Sequence, residues 1–538
     1  MKRALVALIL TLGTAWAAPA TAAIDRPPVR VETGLVAGSA TKDPNVTAFR
    51  GLPYAAPPVG DLRWRAPEPP KAWDGVRPAD KPGPVCAQPQ GQGGAARDIS
   101  EDCLNLDVWT AAKRAGEKRP VMVWFHGGND GFGAGSSPQY DGEGLAKKGA
   151  VVVTVNFRGG PFSQFALPEL SKESGHGSGA YGLLDDFAAL KWVQRNIAAF
   201  GGDPANVTIF GQSFGAGTEQ FLTASPLAKG LFQKVIFQSH ARYERDPEPH
   251  TSGYRTLKQA EAEGLKFQAS AGAKSIAELR ALPWQKVLDL YRADVAARGA
   301  AGVAWTYIQD GYVFPRSFAQ IYAAGAQVDV AVLAGDNRDE TGSSPDTGYD
   351  LMTAGDRPRV NFPAVHTIQD YTAESREKFG RMADELFRLY PATSDREAFL
   401  ASSAVARDSS RFSTWLWAAS WNRKVKKPVY LYYWTHAPPG PNRGLTGAAH
   451  GSEIAYVYNR PGAAWTDEDK QIADRMSSYW VNFARTGNPN GAGLPPWPAF
   501  DGKAEQAMEL GGDFKPLALP GGAKADFWRR FYASQPAN

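Results

Sequence analysis

Val207-Thr208-Ile209-Phe210-Gly211-Gln212-Ser213-Phe214-Gly215-Ala216-Gly217 is a short apolar run that breaks into glycines around a serine. Val207 to Phe210 carries no charge and is β-prone, which suits a buried strand. Gly211 to Gly215 reads G-x-S-x-G. A serine on a sharp strand-to-helix turn needs small residues two positions away on each side, because larger ones would strike the neighbouring strand or helix. Such a turn lifts the serine oxygen above the sheet edge, and the helix that follows points its free N–H groups at the site. The pattern predicts a helix from Phe214 towards Ala224. A Gly-rich turn that merely contains a serine has the same letters, so the context decides.

Working outward, Val121 to Phe125 and Ala150 to Asn156 read as buried strands before the turn. Lys234 to Gln238, Val328 to Ala334 and Val429 to Trp434 read as strands after it, the last being the final clear one. Leu183 to Ile197 has Leu184, Phe187, Leu190, Val193 and Ile197 at helical spacing. Strands and helices that alternate, with continuously apolar strands, predict an α/β fold. Its central sheet is mostly parallel and has helices on both faces. Ligands of such sheets bind beyond the carboxyl ends of the strands. Residues 243–324 and 346–424 turn helical between Pro and Gly breaks and are expected to form lid insertions. Residues 501–538 read as a surface tail ending in an aromatic-rich helix with Phe527, Trp528, Phe531 and Tyr532.

The 538 residues are 43% hydrophobic, enough for a large core, and length alone allows several domains or one α/β domain with insertions. Met1-Lys2-Arg3, the apolar stretch Ala4 to Leu12 and the small residues Ala20-Thr21-Ala22-Ala23 read as a secretory signal over residues 1–23. The expected mature protein is a single domain over residues 24–538, exported to the periplasm or the medium. The formal charge of +4 includes Lys2 and Arg3, so that chain is close to neutral. With no Lys/Arg-rich run, nucleic acid is not an expected partner. No apolar run reaches the length of a membrane span. The two cysteines, Cys86 and Cys103, are an even, closely spaced pair that reads as a disulfide in an exported protein, against the alternative of two unrelated buried thiols. Closing such a loop is worth roughly 3 kcal/mol in the chain-entropy account. No Cys/His cluster has metal-ligand spacing, and neither a metal nor a cofactor is expected.

A serine hydroxyl needs a base, usually a histidine oriented by a carboxylate. The chain has seven histidines: His126, His176, His240, His250, His366, His436 and His450. His450 lies in Gly447-Ala448-Ala449-His450-Gly451-Ser452-Glu453, a small-residue loop after the last strand, and His436, nearer that strand's end, competes with it. Asp336, Asp339 and Glu340 follow the strand Val328 to Ala334 and are the candidate carboxylates. His126-Gly127-Gly128-Asn129 follows a buried strand, and its glycines let backbone N–H groups approach a substrate oxygen. The N–H of Phe214 is a further donor.

Motifs along nearly the whole chain then agree with one family. They are Phe49-Arg50-Gly51-Leu52-Pro53-Tyr54 through Gly60, Glu101-Asp102-Cys103-Leu104-Asn105-Leu106-Asp107-Val108, Phe200-Gly201-Gly202-Asp203-Pro204 leading to Ser213, and the Glu340 and His450 loops. The chain resembles the type B carboxylesterases, the group that includes cholinesterases and p-nitrobenzyl esterases. The resemblance implies an α/β-hydrolase fold and a serine carboxylesterase that acts on a small-molecule ester through an acyl-enzyme. It implies Ser213 as nucleophile, His450 as base and then acid, and Glu340 as orienting carboxylate. It also implies an oxyanion hole from the N–H groups of Gly128, Asn129 and Phe214, support of the acid by Ser239, and pairing of Cys86 with Cys103. A non-catalytic cholinesterase-like binding protein, and an amidase or acyltransferase with the same triad, are the alternatives. The chain departs from the family at Phe214, usually a small residue, at Asn129 and Asp130 in the Gly-rich loop, and at Asn105 and His240. Asp130 raises the expectation of a more polar acyl side, against the alternative of a carboxylate held in a loop hydrogen bond.

Overall fold

The computed structural model describes residues 27–91, 98–247, 253–298, 305–340, 343–353 and 367–537. The signal segment 1–23, His250 and His366 lie outside them. An 11-stranded sheet organises the chain. Its strands in chain order are β1 (Ser39–Ala40), β2 (Thr47–Pro53), β3 (Asn105–Thr110), β4 (Arg119–Phe125), β5 (Val151–Val155), β6 (Gly202–Gln212), β7 (Lys234–Gln238), β8 (Ala331–Asn337), β9 (Val429–Trp434), β10 (Gln506–Leu510) and β11 (Pro516–Ala518). They lie side by side in the order β11-β10-β9-β8-β7-β6-β4-β5-β3-β2-β1. From β5 across to β10 every pairing is parallel, and only the edges turn antiparallel.

The central parallel strands β4 and β5 are largely apolar because both faces are covered. Side chains alternate across a strand. Val121, Val123 and Phe125 of β4 therefore join one core, and Met122 and Trp124 join the other. The first core packs against α1 (Tyr181–Asn196) and α2 (Phe214–Ala224). Trp417 and Trp421, at the end of α3 (Asp395–Trp421), pack into it too. The second core is closed by Met476, Tyr479, Trp480 and Phe483 of α4 (Asp467–Thr486). Truncating a buried aromatic such as Trp124 or Trp480 to Ala would cost about 3–5 kcal/mol.

Three elements differ from the sequence expectation. The strand expected at Val328 to Ala334 begins at Ala331 and runs on to Asn337. Val328 instead lies outside the ladder and donates its N–H to the Thr223 carbonyl, and Asp336 lies inside the strand rather than after it. Val429 to Trp434 is not the last strand, since β10 and β11 follow. Residues 501–538 are not a surface tail: β10 extends the parallel sheet, and α5 (Ala523–Ser534) buries Phe527, Trp528, Phe531 and Tyr532 against α3. Cys86 and Cys103 form a disulfide. Asn105 braces it by donating to the carbonyls of Pro84 and Cys103, each at 2.9 Å. Among the described residues no helix is long and apolar enough to cross a membrane.

Candidate active site

Ser213 stands between β6 and α2 with φ 58° and ψ −125°, a sparsely populated conformation for a residue with a side chain. The turn is over-determined by its neighbours. Ser213 donates its N–H to Gln238 at 2.9 Å and accepts that of Gly217 at 2.9 Å. A Cβ on Gly215 would lie 2.0 Å from the carbonyl oxygen of Phe125, and one on Gly211 2.8 Å from both that oxygen and the Gly215 carbonyl carbon. Strand, turn and helix therefore touch through bare backbone, as the G-x-S-x-G spacing predicts.

The loop after β4 passes directly over the serine. A Cβ on Gly127 would come within 3.1 Å of the Ser213 Cβ, and one on Gly128, at φ 135°, would meet the Phe132 carbonyl at 1.7 Å. Among the described residues the N–H groups of Gly128, Asn129 and Phe214 donate to no protein acceptor. The Phe214 ring stacks on Tyr307, with centroids 5.0 Å apart, and rests against Gly131, which has no side chain to oppose it. The Asp130 carboxylate accepts a hydrogen bond from the hydroxyl of Tyr291, on the helix Trp284–Arg298. That hydrogen bond ties the loop to that helix.

The histidines separate by their partners. Burial pushes His126 down to about 4; its ring stacks on Phe157 and its Nδ1 faces the Gly127 carbonyl. His176 stacks on Tyr312 near the surface. His240 fills the space that Gly217 leaves on α2, and burial, with Arg242 and His450 nearby, holds it at about 3. His436 donates to Asp469 at 2.7 Å, and the same oxygen accepts the Tyr456 hydroxyl. This competitor is thus spent on closing the start of α4. Among the described histidines only His450 meets a carboxylate from the loop after β8: its Nδ1–H donates to Glu340. Its side chain is 36% exposed, so solvent and substrate can reach the ring.

Each candidate carboxylate has a distinct use. Asp336 pairs with Arg242 at 3.3 Å. Asp339 accepts from Arg338, Arg407 and the backbone of Ala448. Glu340 takes His450 and also the N–H of Asn337 at 3.0 Å. Burial alone would raise the Glu340 carboxyl, but the imidazole overrides it and holds the group at about 2. Burial alone would likewise lower His450, but Glu340 outweighs it and the histidine sits above its usual value. Ser239, at φ 59°, donates its N–H to Gly335. Its buried hydroxyl faces Glu340 without a well-aligned hydrogen bond and still helps to hold that carboxyl down.

Two polar residues enter the site without a role read from the sequence. Glu453 is fully buried, and burial raises its carboxyl. It accepts from Asn337 at 2.6 Å and Gln238 at 2.9 Å, and Asn337 also donates to Ala449 beside His450. Gln212 lies against His450 itself. The signal for Glu453 was its place three residues after His450, and for Gln212 its place beside Ser213.

This is the architecture of an α/β-hydrolase. The sequence pattern of the carboxylesterase family matches residues 25–528. The chain is 36% identical over 509 residues to a fumonisin B1 esterase of Sphingopyxis macrogoltabida, covering 91% of this chain and 88% of that protein. It is 33% identical over 509 residues to a para-nitrobenzyl esterase of Bacillus subtilis, covering 90% and 94%. A solved PNB esterase structure superposes with a TM-score of 0.75 at 31% identity, over 93% of this chain and 99% of that one. The chain belongs to the carboxylesterase family, and it is a serine hydrolase of carboxylic esters.

Proposed function

We propose that Ser213 is the nucleophile, His450 the general base and then acid, and Glu340 the carboxylate that orients it. The oxyanion is held by the N–H groups of Gly128, Asn129 and Phe214. The observation that carries this reading is the hydrogen bond from His450 Nδ1 to Glu340. It leaves Nε2 as the imidazole's acceptor, on the loop that meets the Ser213 turn. In the first half-reaction Ser213 Oγ bonds to the ester carbonyl carbon as His450 takes its proton. The carbonyl oxygen becomes anionic where backbone donors, already in place, stabilise it by roughly 3–4 kcal/mol for each good donor. The intermediate expels the alcohol, which leaves with the proton from His450. Water then repeats the steps on the acyl-enzyme, releasing the acid and restoring Ser213. Labelling with a fluorophosphonate tests the reading: peptide mapping should find the adduct on Ser213, and His450→Ala should abolish it.

Export belongs to the same proposal. The Cys86–Cys103 disulfide supports an oxidising compartment and a signal at residues 1–23. The mature chain, residues 24–538, is read as one domain with helical insertions around one end of the sheet. Likeness to a fumonisin B1 esterase places fumonisin B1 beside p-nitrophenyl esters in the first substrate panel.

A further inference from the structure

Gln212 fills the position before Ser213, and its Nε2 lies 3.0 Å from His450 Nε2. Because the neutral His450 donates its Nδ1–H to Glu340, Nε2 holds a lone pair, and the amide N–H is the donor of this contact. That lone pair is the one that must receive the Ser213 proton. Among the described residues, Gln212 and not the Ser213 hydroxyl is hydrogen-bonded to it. The side chain is buried at 5% exposure. Its oxygen end lies 3.2 Å from where a Cβ on Gly127 would stand, and its amide 3.6 Å from the same point on Gly451. The amide is therefore wedged between the oxyanion loop and the histidine loop.

We propose that Gln212 is a positioning residue that guards the base. In the resting enzyme its amide donates to His450 Nε2 and holds the Nδ1–H tautomer, and it yields the lone pair to the Ser213 hydroxyl when an ester occupies the site. The proposal rests on the triad reading above. A donor on Nε2 favours the neutral imidazole and opposes an Nε2–H, so Gln212 eases His450 towards its basic form. The other charged groups acting on the ring are Glu340, Glu453 and Arg242, beside the neutral His240. All of them stay in place when only residue 212 changes.

The test is kcat/KM from pH 5 to 9, which reports the free enzyme, for wild type, Gln212→Met and Gln212→Glu. Methionine removes the donor at similar length. Glutamate keeps the shape and sets an acceptor against Nε2. The acid limb should move up by roughly half to one pH unit in Gln212→Met and further in Gln212→Glu. A packing role alone would scale the whole profile and leave the limb in place. A limb within about 0.2 unit of wild type in the folded variants overturns the proposal and leaves the role of His450 standing. A wild-type profile with no acid limb overturns the role of His450, and this proposal with it. If Gln212→Met does not fold, the near-isosteric Gln212→Glu decides.

Discussion

Asp339 accepts the backbone N–H of Ala448 at 2.8 Å and returns its own N–H to the Ala448 carbonyl at 3.0 Å. This reciprocal pair joins the loop that carries Glu340 to the loop that carries His450, one and two residues from each. The Asp339 side chain is 1% exposed and also binds Arg407 at 2.8 Å, so α3 anchors the same junction. Replacing Asp339 by Asn removes a buried charge from two arginines. Unfolding free energy should fall by about 2–3 kcal/mol, less than for a fully buried pair because Arg407 keeps Asp346. Denaturant melts should show that loss, and kcat should fall more than KM rises.

The pH response follows from the His450–Glu340 pair. His450 is raised above its usual 6.5, so its neutral form, the one a general base needs, prevails only above that raised value. The acid limb of kcat/KM should have its midpoint above about 6.5. Stability runs differently. The raised histidine stabilises the fold below its unfolded value of 6.5, and that contribution is lost as pH rises through the folded value. The carboxyl, held at about 2 against 4.5 unfolded, stabilises above 4.5, and that contribution is lost as pH falls towards 2. The pair therefore stabilises most between these two unfolded values, on the acid side of the activity optimum. Glu340→Gln should flatten that feature in Tm against pH, move the activity limb to lower pH, and cut kcat by about 10⁴.

The proposed oxyanion loop tolerates no side chain at Gly128. Its φ of 135° and the Phe132 carbonyl 1.7 Å from a Cβ force the loop to shift. Gly128→Ala should lower kcat by about 10²–10³, as for the loss of a single donor. Fluorophosphonate labelling should slow in parallel, and Tm should fall with the strain placed on the loop.

Tyr291 and Asp130 should act as a unit. Tyr291 is buried, and burial with the Asp130 charge raises its hydroxyl far above the usual range, so it remains a donor. Asp130→Ala and Tyr291→Phe should each cost about 1.5–3 kcal/mol and the double variant little more. Additive losses in denaturant melts would show that the two residues are independent.

How much of this could be read beforehand depended on whether a residue's role was local. The elbow helix was predicted at both ends, Phe214 and Ala224, because glycine spacing and helical apolar spacing meet there. The antiparallel strands β1, β2 and β3 and the β10–β11 pair are not legible, since they are short or carry mixed polar and apolar letters. Val328-Asp329-Val330 looked like strand because apolar letters do not distinguish a segment bonded to the Thr223 carbonyl from a ladder. The helix holding Phe527 and Trp528 was recognised, but only the packing of α3 shows that it is buried. At the site, motif and resemblance singled out Ser213, Glu340 and His450. Position along the chain alone does not rank His436 below His450, because the partner that occupies it, Asp469, is 33 residues away. The contact of Gln212 with His450 spans 238 residues and has no local signal.

The measurement closest to the central claim is hydrolysis of short and medium p-nitrophenyl esters by the mature protein beside a folded Ser213→Ala variant. Turnover by the wild type that falls to background in the variant is the predicted result. Equal turnover by both proteins, or none by either, would contradict Ser213 as the nucleophile of an ester hydrolase.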